Sequence, residues 1–230
     1  MHPTRSNSDQ RTTRQFESRH SSQARTKLVK TLKRKGIRHP SVLNALEAIP
    51  RHMFLDPEQL DDAYVDTALP IGHAQTISQP FVVALMSEML LTAAKNNRRV
   101  LEIGTGCGYQ TAILSHLFDR VYSVERILSL SQRAKRNLEL LCINNTILQH
   151  GDGTDGWRGQ ETFDAIIVTA ASGNLPQPLL QLLKPDSCLI APIGTTEHQR
   201  LTTLRNQNGL ISNEATETVR FVPLLSGTCN

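Results

Sequence analysis

The sequence predicts an α/β fold: a doubly wound, Rossmann-like and mostly parallel sheet with helices on both faces, N-terminal helices, and an antiparallel C-terminal hairpin. Three observations predict it. From Arg99 onward short apolar runs alternate with segments of helical period. The first of those runs, Val100-Leu101-Glu102-Ile103, passes directly into a glycine-rich turn. The chain then closes with two strand-like runs flanking Asn208-Gly209, a hairpin signal. At 230 residues, the chain is long enough to bury a core without disulfides.

Residues 1–23 are rich in Ser, Thr, Arg, Gln and Asn, with Phe16 the one aromatic, and are expected to form a disordered basic tail. Residues 24–230 read as the folded domain. From Ala24 the pattern is helical: Ala24, Leu28 and Leu32 share a face, Lys and Arg fill the others, and Gly36 suits a helix end. Pro40 opens a second helix with a stripe of Val42, Leu43, Leu46 and Ile49, and Pro50 stops it. Residues 51–79 read as irregular, which is long for a connection and marks a candidate functional stretch.

A helix from Pro80 to about Ala94 leads into the alternation. It runs strand Arg99 to Ile103, helix Tyr109 to Leu117, strand Arg120 to Val124, helix Arg126 to Leu141 and strand Thr146 to Gln149. Strand Phe163 to Val168, helix Leu175 to Leu183 and strand Cys188 to Ala191 continue it. The hairpin strands are Leu201 to Arg205 and Ala215 to Val222.

The net charge of +4 conceals a division: residues 1–38 carry +9 and residues 39–230 carry −5. A body of that sign repels a polyanion, so no nucleic-acid partner is expected and any such affinity is confined to the basic leader. Aromatic residues at 4% also argue against a base-stacking platform. There is no secretory apolar region and no membrane-length apolar run. Cys107, Cys142, Cys188 and Cys229 form no C-x-x-C pair. Reduced thiols, a cytoplasmic location, no membrane partner, no metal site and a monomer rather than an obligate oligomer are expected.

The turn after the first buried strand has the spacing E-x-G-x-G-x-G, with Glu102, Gly104, Gly106 and Gly108. Glycines there let backbone amides approach a ligand. Tyr109 stands where the dinucleotide fingerprint G-x-G-x-x-G has its third glycine, which disfavours a nicotinamide cofactor. Glu125 ends the next strand, where a carboxylate can accept both ribose hydroxyls of an adenosyl group. Asp152 and Gly153 follow the third strand, where Asp152 can accept from an adenine amine. A plain turn, a solvated strand end and an Asx turn are the simpler accounts of each, but together they mark three successive strand carboxyl ends, where open α/β sheets bind ligands.

This set resembles the class I S-adenosylmethionine-dependent methyltransferases. Pro70-Ile71-Gly72, Gln75-Thr76-Ile77-Ser78-Gln79-Pro80, Val100 to Ala112, Tyr122 to Arg126, Gly151-Asp152-Gly153 and Asp164 to Ala171 are together similar to the protein-L-isoaspartate O-methyltransferase family. The similarity runs from about Ala24 to Pro223, and Cys107 stands where that family's loop has Ser. The resemblance implies S-adenosyl-L-methionine as cofactor, held by Glu102, Gly104, Gly106, Gly108, Glu125, Asp152 and Gly153. It implies proteins or peptides with L-isoaspartyl residues as partners, D-aspartyl being a second candidate acceptor, and methylation of the α-carboxylate as the start of their repair.

Within that resemblance Thr76, Ile77 and Ser78 are the substrate-binding residues, Ser78 is the catalytic donor, and residues 24–98 form the substrate side. From residue pattern alone, Ser78 two positions before Pro80 reads as a helix N-cap. Cys107 as a nucleophile lacks an identifiable His or Asn partner, and His150 and His198 read as structural imidazoles. A methyltransferase acting on nucleic acid or a small molecule, and a non-catalytic adenosyl-ligand binder, are the alternative functions. The first lacks the D/N/S-P-P-aromatic motif of exocyclic-amine methylation, since Thr169-Ala170-Ala171-Ser172 occupies that place.

Overall fold

The computed structural model describes residues 19–174, 177–207 and 210–230. The first described helix, α1, spans Arg19–Arg34, so the chain is already helical five residues ahead of the boundary expected at Ala24. The remainder of the expected tail, residues 1–18, lies outside the described residues. Helix α2 is Pro40–Ala48, with Pro40 at its first turn as its fixed φ favours.

The stretch read as irregular contains short elements. Arg51–Phe54 and Pro57–Asp62 are 3-10 turns, and β1 (Leu69–Gly72) pairs antiparallel with β2 (Gln75–Ile77). Each is too short for its apolar period to register in sequence. His73 and Ala74, both at φ 54°, make the two-residue connection, matching the left-handed pair of a type I′ hairpin without glycine. Helix α3 follows as Pro80–Ala93.

The main sheet contains β3 (Arg99–Ile103), β4 (Arg120–Glu125), β5 (Thr146–His150), β6 (Phe163–Val168), β7 (Leu183–Gly194), β8 (Gln199–Gln207) and β9 (Leu210–Val219), in the order β5-β4-β3-β6-β7-β8-β9. The pairs from β5 to β7 are parallel, and β7-β8-β9 are antiparallel. Helices α4 (Tyr109–Ser115), α5 (Leu128–Leu140) and α6 (Gln177–Gln181) complete the alternation. Chain direction across the sheet reverses between β3 and β6, which opens a crevice at their carboxyl ends.

Strand side chains alternate between two cores, as the pleat requires. Val100, Ala165, Ile167 and Ile190 face the larger core with the N-terminal helices, α4 and α5. Leu101, Ile103, Ile166, Val168 and Leu189 face the other, where Leu179 of α6 and the edge-on ring pairs of Tyr122 with Trp157 and Phe163 pack.

Several boundaries differ from the sequence expectation. Helix α5 starts at Leu128, not Arg126, because the Glu125 carboxylate accepts from Ile127 N at 2.9 Å and holds the chain extended there. Helix α6 is shorter than 175–183, and Leu183 already belongs to β7; residues 175 and 176 lie outside the described residues. Strand β7 exceeds the apolar run Cys188–Ala191 because β8 pairs with it from Ser187 to Gly194, carrying polar residues into the ladder. The Asn208-Gly209 turn lies outside the described residues.

A left-handed Ala lacks the freedom of Gly, so Ala74→Gly is expected to stabilise the protein by about 0.5–1 kcal/mol. Urea unfolding measures it, and a lowered midpoint would show that chain entropy outweighs the relieved strain.

Candidate active site

A cleft opens at the carboxyl ends of β3, β4 and β6. Its floor is the turn after β3. Gly104 has φ +97°, and a Cβ there would lie 2.4 Å from Thr169 Oγ1, so only glycine lets the turn approach the end of β6. Thr169 Oγ1 in turn donates to Gly104 O at 2.7 Å.

Of the residues expected from sequence to hold cofactor, Gly104, Gly106, Glu125 and Gly153 line this cleft. Glu125 accepts from Gly106 N at 2.8 Å and from Ile127 N at 2.9 Å, one bond to each carboxylate oxygen. Two amides therefore orient the carboxylate, and each oxygen keeps lone-pair capacity for a ribose hydroxyl.

Glu102, Gly108 and Asp152 do not line the cleft, and each has a structural occupation. Glu102 is fully buried beneath the turn, where its Oε2 accepts from Thr111 Oγ1 at 2.5 Å and Ser123 Oγ at 2.6 Å. Ser123 also bonds Thr105 Oγ1 at 2.6 Å, so the carboxyl fastens β4 and α4 to the loop. Burial pushes its pKa up to about 8 against those hydroxyl bonds, and Oε1 has no partner among the described residues. A neutral carboxyl suits that orphaned oxygen better than a bare charge.

Gly108 (φ +93°) precedes α4 where a Cβ would press on Ala134 of α5 at 3.2 Å, so its absence of side chain serves helix packing. Asp152 caps the turn Gly153–Asp155: Oδ1 accepts from Thr154 N at 2.8 Å and Thr154 Oγ1 at 2.7 Å, and Oδ2 accepts from Gly227 N at 2.5 Å. Burial works to raise its pKa, but the Gly227 and Thr154 bonds outweigh it and hold the carboxyl below its ordinary range. The Asx reading describes this residue.

The other wall carries Thr76, Ile77 and Ser78, with Gln75 beside them. Ser78 is not the cap of α3. Gln79 occupies that position without a side-chain cap bond, and Phe81 N is satisfied by Asp66 Oδ1 at 2.8 Å, from a loop no local pattern would nominate. Ser78 is half-buried and makes no hydrogen bond through Oγ among the described residues.

Cys107 lines the cleft, but burial pushes its thiol up to about 11, despite Arg51 and Arg133, which removes the thiolate needed of a nucleophile. His150 is occupied by Arg126 O at 3.0 Å, and His198 lies off the cleft. Among the described residues no group of three His, Cys, Asp or Glu could hold a metal ion, and no helix is long and apolar enough to cross a membrane.

Sequence reasoning missed the fourth side. Val222, Pro223, Leu224 and Leu225 close the cleft, held by Ala171 N to Val222 O at 2.8 Å and Leu224 N to Ala171 O at 2.7 Å. Beyond them, Arg126 Nε donates to Gly227 O at 3.0 Å and Cys229 N to Arg126 O at 2.8 Å, strapping the C-terminal segment over the loop after β4. No local signal marks these contacts.

The profile of the family described as protein-L-isoaspartate(D-aspartate) O-methyltransferase matches residues 23–229. The chain belongs to that family. Its protein-L-isoaspartate O-methyltransferase relative from Alteromonas mediterranea is 48% identical over 200 residues, 87% of this chain and 94% of the relative. That from Pseudomonas syringae pv. tomato is 48% identical over 208 residues, 90% and 98% of the two chains. A Plasmodium falciparum crystal structure assigned to the same activity, in complex with S-adenosyl-L-homocysteine, superposes with a TM-score of 0.77 at 29% identity, covering 91% of this chain and 99% of that one.

Two predictions follow from the carboxylates. Glu125→Ala is expected to weaken S-adenosyl-L-methionine binding by about 1–3 kcal/mol in calorimetry, and unchanged affinity would leave Glu125 only its two amides. For Glu102 the folded pKa is raised, so the folded state binds the extra proton between the ordinary carboxylate range and about 8, and stability from this group is lost as pH rises through that window. Glu102→Gln should therefore lose less thermal stability than the parent between pH 5 and 8; parallel curves would mean that Glu102 titrates normally.

Proposed function

We propose that this protein transfers a methyl group from S-adenosyl-L-methionine to the α-carboxylate of L-isoaspartyl residues in damaged proteins, initiating their repair. The observation that carries the reading is that the unengaged Ser78 hydroxyl and the Glu125 carboxylate open onto one cleft. Glu125, oriented by two amides, matches the cofactor's ribose diol. Gly104, Gly106 and Gly153 let the chain lie close beneath it. The cofactor supplies an electrophilic methyl group.

The residues present match a reaction that requires no strong base. The acceptor carboxylate, with an ordinary pKa near 4, is ionised at neutral pH. Of the cleft's other titratable groups, Cys107 is pushed up to about 11 and Tyr109 to about 12 by burial, so both stay protonated. Opposite charges on donor and acceptor vanish in the transition state. Positioning and partial exclusion of water therefore carry the rate enhancement, with Ser78 Oγ donating to one acceptor oxygen and leaving the other to attack in line. Thr76 and Ile77 hold the peptide beside it, and residues 24–98 form the substrate side. The four free cysteines support a cytoplasmic setting.

With methyl-labelled S-adenosyl-L-methionine, base-labile ester is expected on an isoAsp peptide and not on its Asp twin. Equal labelling of both would overturn the specificity, and tight cofactor binding without labelling of either would leave a non-catalytic binder. Ser78→Ala should lower turnover about tenfold or more while cofactor affinity stays within about twofold. Unchanged turnover in the folded variant would remove Ser78 from the chemistry.

A further inference from the structure

Arg51 opens the 3-10 turn Arg51–Phe54 and is fully buried. Its Nη2 makes a long hydrogen bond to Thr67 O at 3.3 Å and the Tyr109 side chain also interacts with the guanidinium, while Nε and Nη1 have no partner among the described residues. The guanidinium lies 4.9 Å from the Tyr109 ring centroid, and Phe54 meets that same ring edge-on at 5.4 Å. Tyr109 is thus clamped from behind by the turn, and Tyr109 and Cys107 both line the cleft. Arg51 stands directly behind the cleft wall.

Among the described residues Arg51 forms no ion pair, and nothing there compensates its charge in full. Burial lowers its pKa, with Tyr109, Cys107 and Asp66 acting in the opposite direction, but a guanidinium remains a cation. Tyr109 and Cys107 are protonated, and the Asp66 carboxylate is already shared by Lys35 Nζ at 2.6 Å and Phe81 N at 2.8 Å. The contrast is Arg133, on the other side of Phe54, which has Asp56 at 3.1 Å, Phe54 O at 2.9 Å and Ile71 O at 3.4 Å.

A buried cation with no carboxylate in ion-pair contact is an arrangement that apolar replacement can relieve, so stability alone is a poor reason to keep it. Its field reaches the cleft through protein of low polarisability, where charges act over several ångströms. On the methyltransferase reading both reactants bring a carboxylate, the amino-acid end of the cofactor and the isoaspartyl acceptor.

We propose that Arg51, acting through the Tyr109 ring, is the counter-charge that attracts and orients a reactant carboxylate in the cleft. It is a positioning residue, since its atoms do not reach the cleft surface. The inference rests on the methyltransferase reading, and parent protein that labels neither peptide would defeat that reading while leaving the binding measurements below intact.

The test uses full-length Arg51→Met and Arg51→Lys. The Met variant is expected to fold with a thermal midpoint at or above the parent's and to lose about tenfold in one of two places. A loss in affinity for S-adenosyl-L-homocysteine, with none for its decarboxylated analogue, identifies the cofactor carboxylate. A rise in KM for the isoAsp peptide at unchanged S-adenosyl-L-homocysteine affinity identifies the acceptor. Arg51→Lys, which keeps the cation, should stay within about threefold of the parent. The proposal is overturned by a Met variant that matches the parent in both measurements, by one that fails to fold or melts lower, or by a Lys variant as impaired as the Met variant.

Discussion

The close approach of Gly104 to Thr169 governs this molecule. Gly104 N donates to Val124 O and Thr169 N to Ile103 O, both at 2.9 Å, so the turn after β3 is bonded to the ends of the strands on either side. Because the winding of the sheet reverses between β3 and β6, chain leaves these two strands in opposite directions and a crevice remains above the junction. Glu125, Gly153 and Ala170 then reach one cleft from separate strand ends. A side chain at position 104 would wedge the junction apart and move every one of them.

Three carboxylates at comparable places have diverged because of their neighbours. Glu102 lies under the loop among hydroxyls and is held neutral as a structural tie. Glu125 receives two amides and still faces the cleft. Asp152 is bonded by Thr154 and Gly227 and turned away from it. The carboxyl group is common to all three; burial and the identity of the donors decide whether it carries charge, geometry or a ligand.

The two ends of the chain complete the cleft from opposite sides. The N-terminal portion contributes the wall from Gln75 to Ser78 and the turn that clamps Tyr109, and Arg133 fastens this portion to α5 through Phe54 O and Ile71 O. The C-terminal portion contributes Val222 to Leu225 and ties itself to Arg126. The glycine loop alone would be an open shelf. Walls from both ends give it depth, and depth excludes water from charged reactants.

The alternation of strands and helices, the glycine turn and the closing hairpin were legible by themselves, because each rests on periodicity and local backbone geometry within a few residues. So was Glu125, whose place at the end of β4 follows from its register in the strand. Ser78 is nominated only through family resemblance, since its local context equally describes a helix cap. Tertiary structure alone decided that Asp66 satisfies α3 in its place, that Gly227 occupies Asp152, that Val222 to Leu225 close the cleft and that Arg51 lies buried behind Tyr109. Each of those outcomes depends on which groups meet across long separations in the chain, and a hydrogen-bond donor or a buried charge has no defined environment until the packed fold brings its neighbours to it.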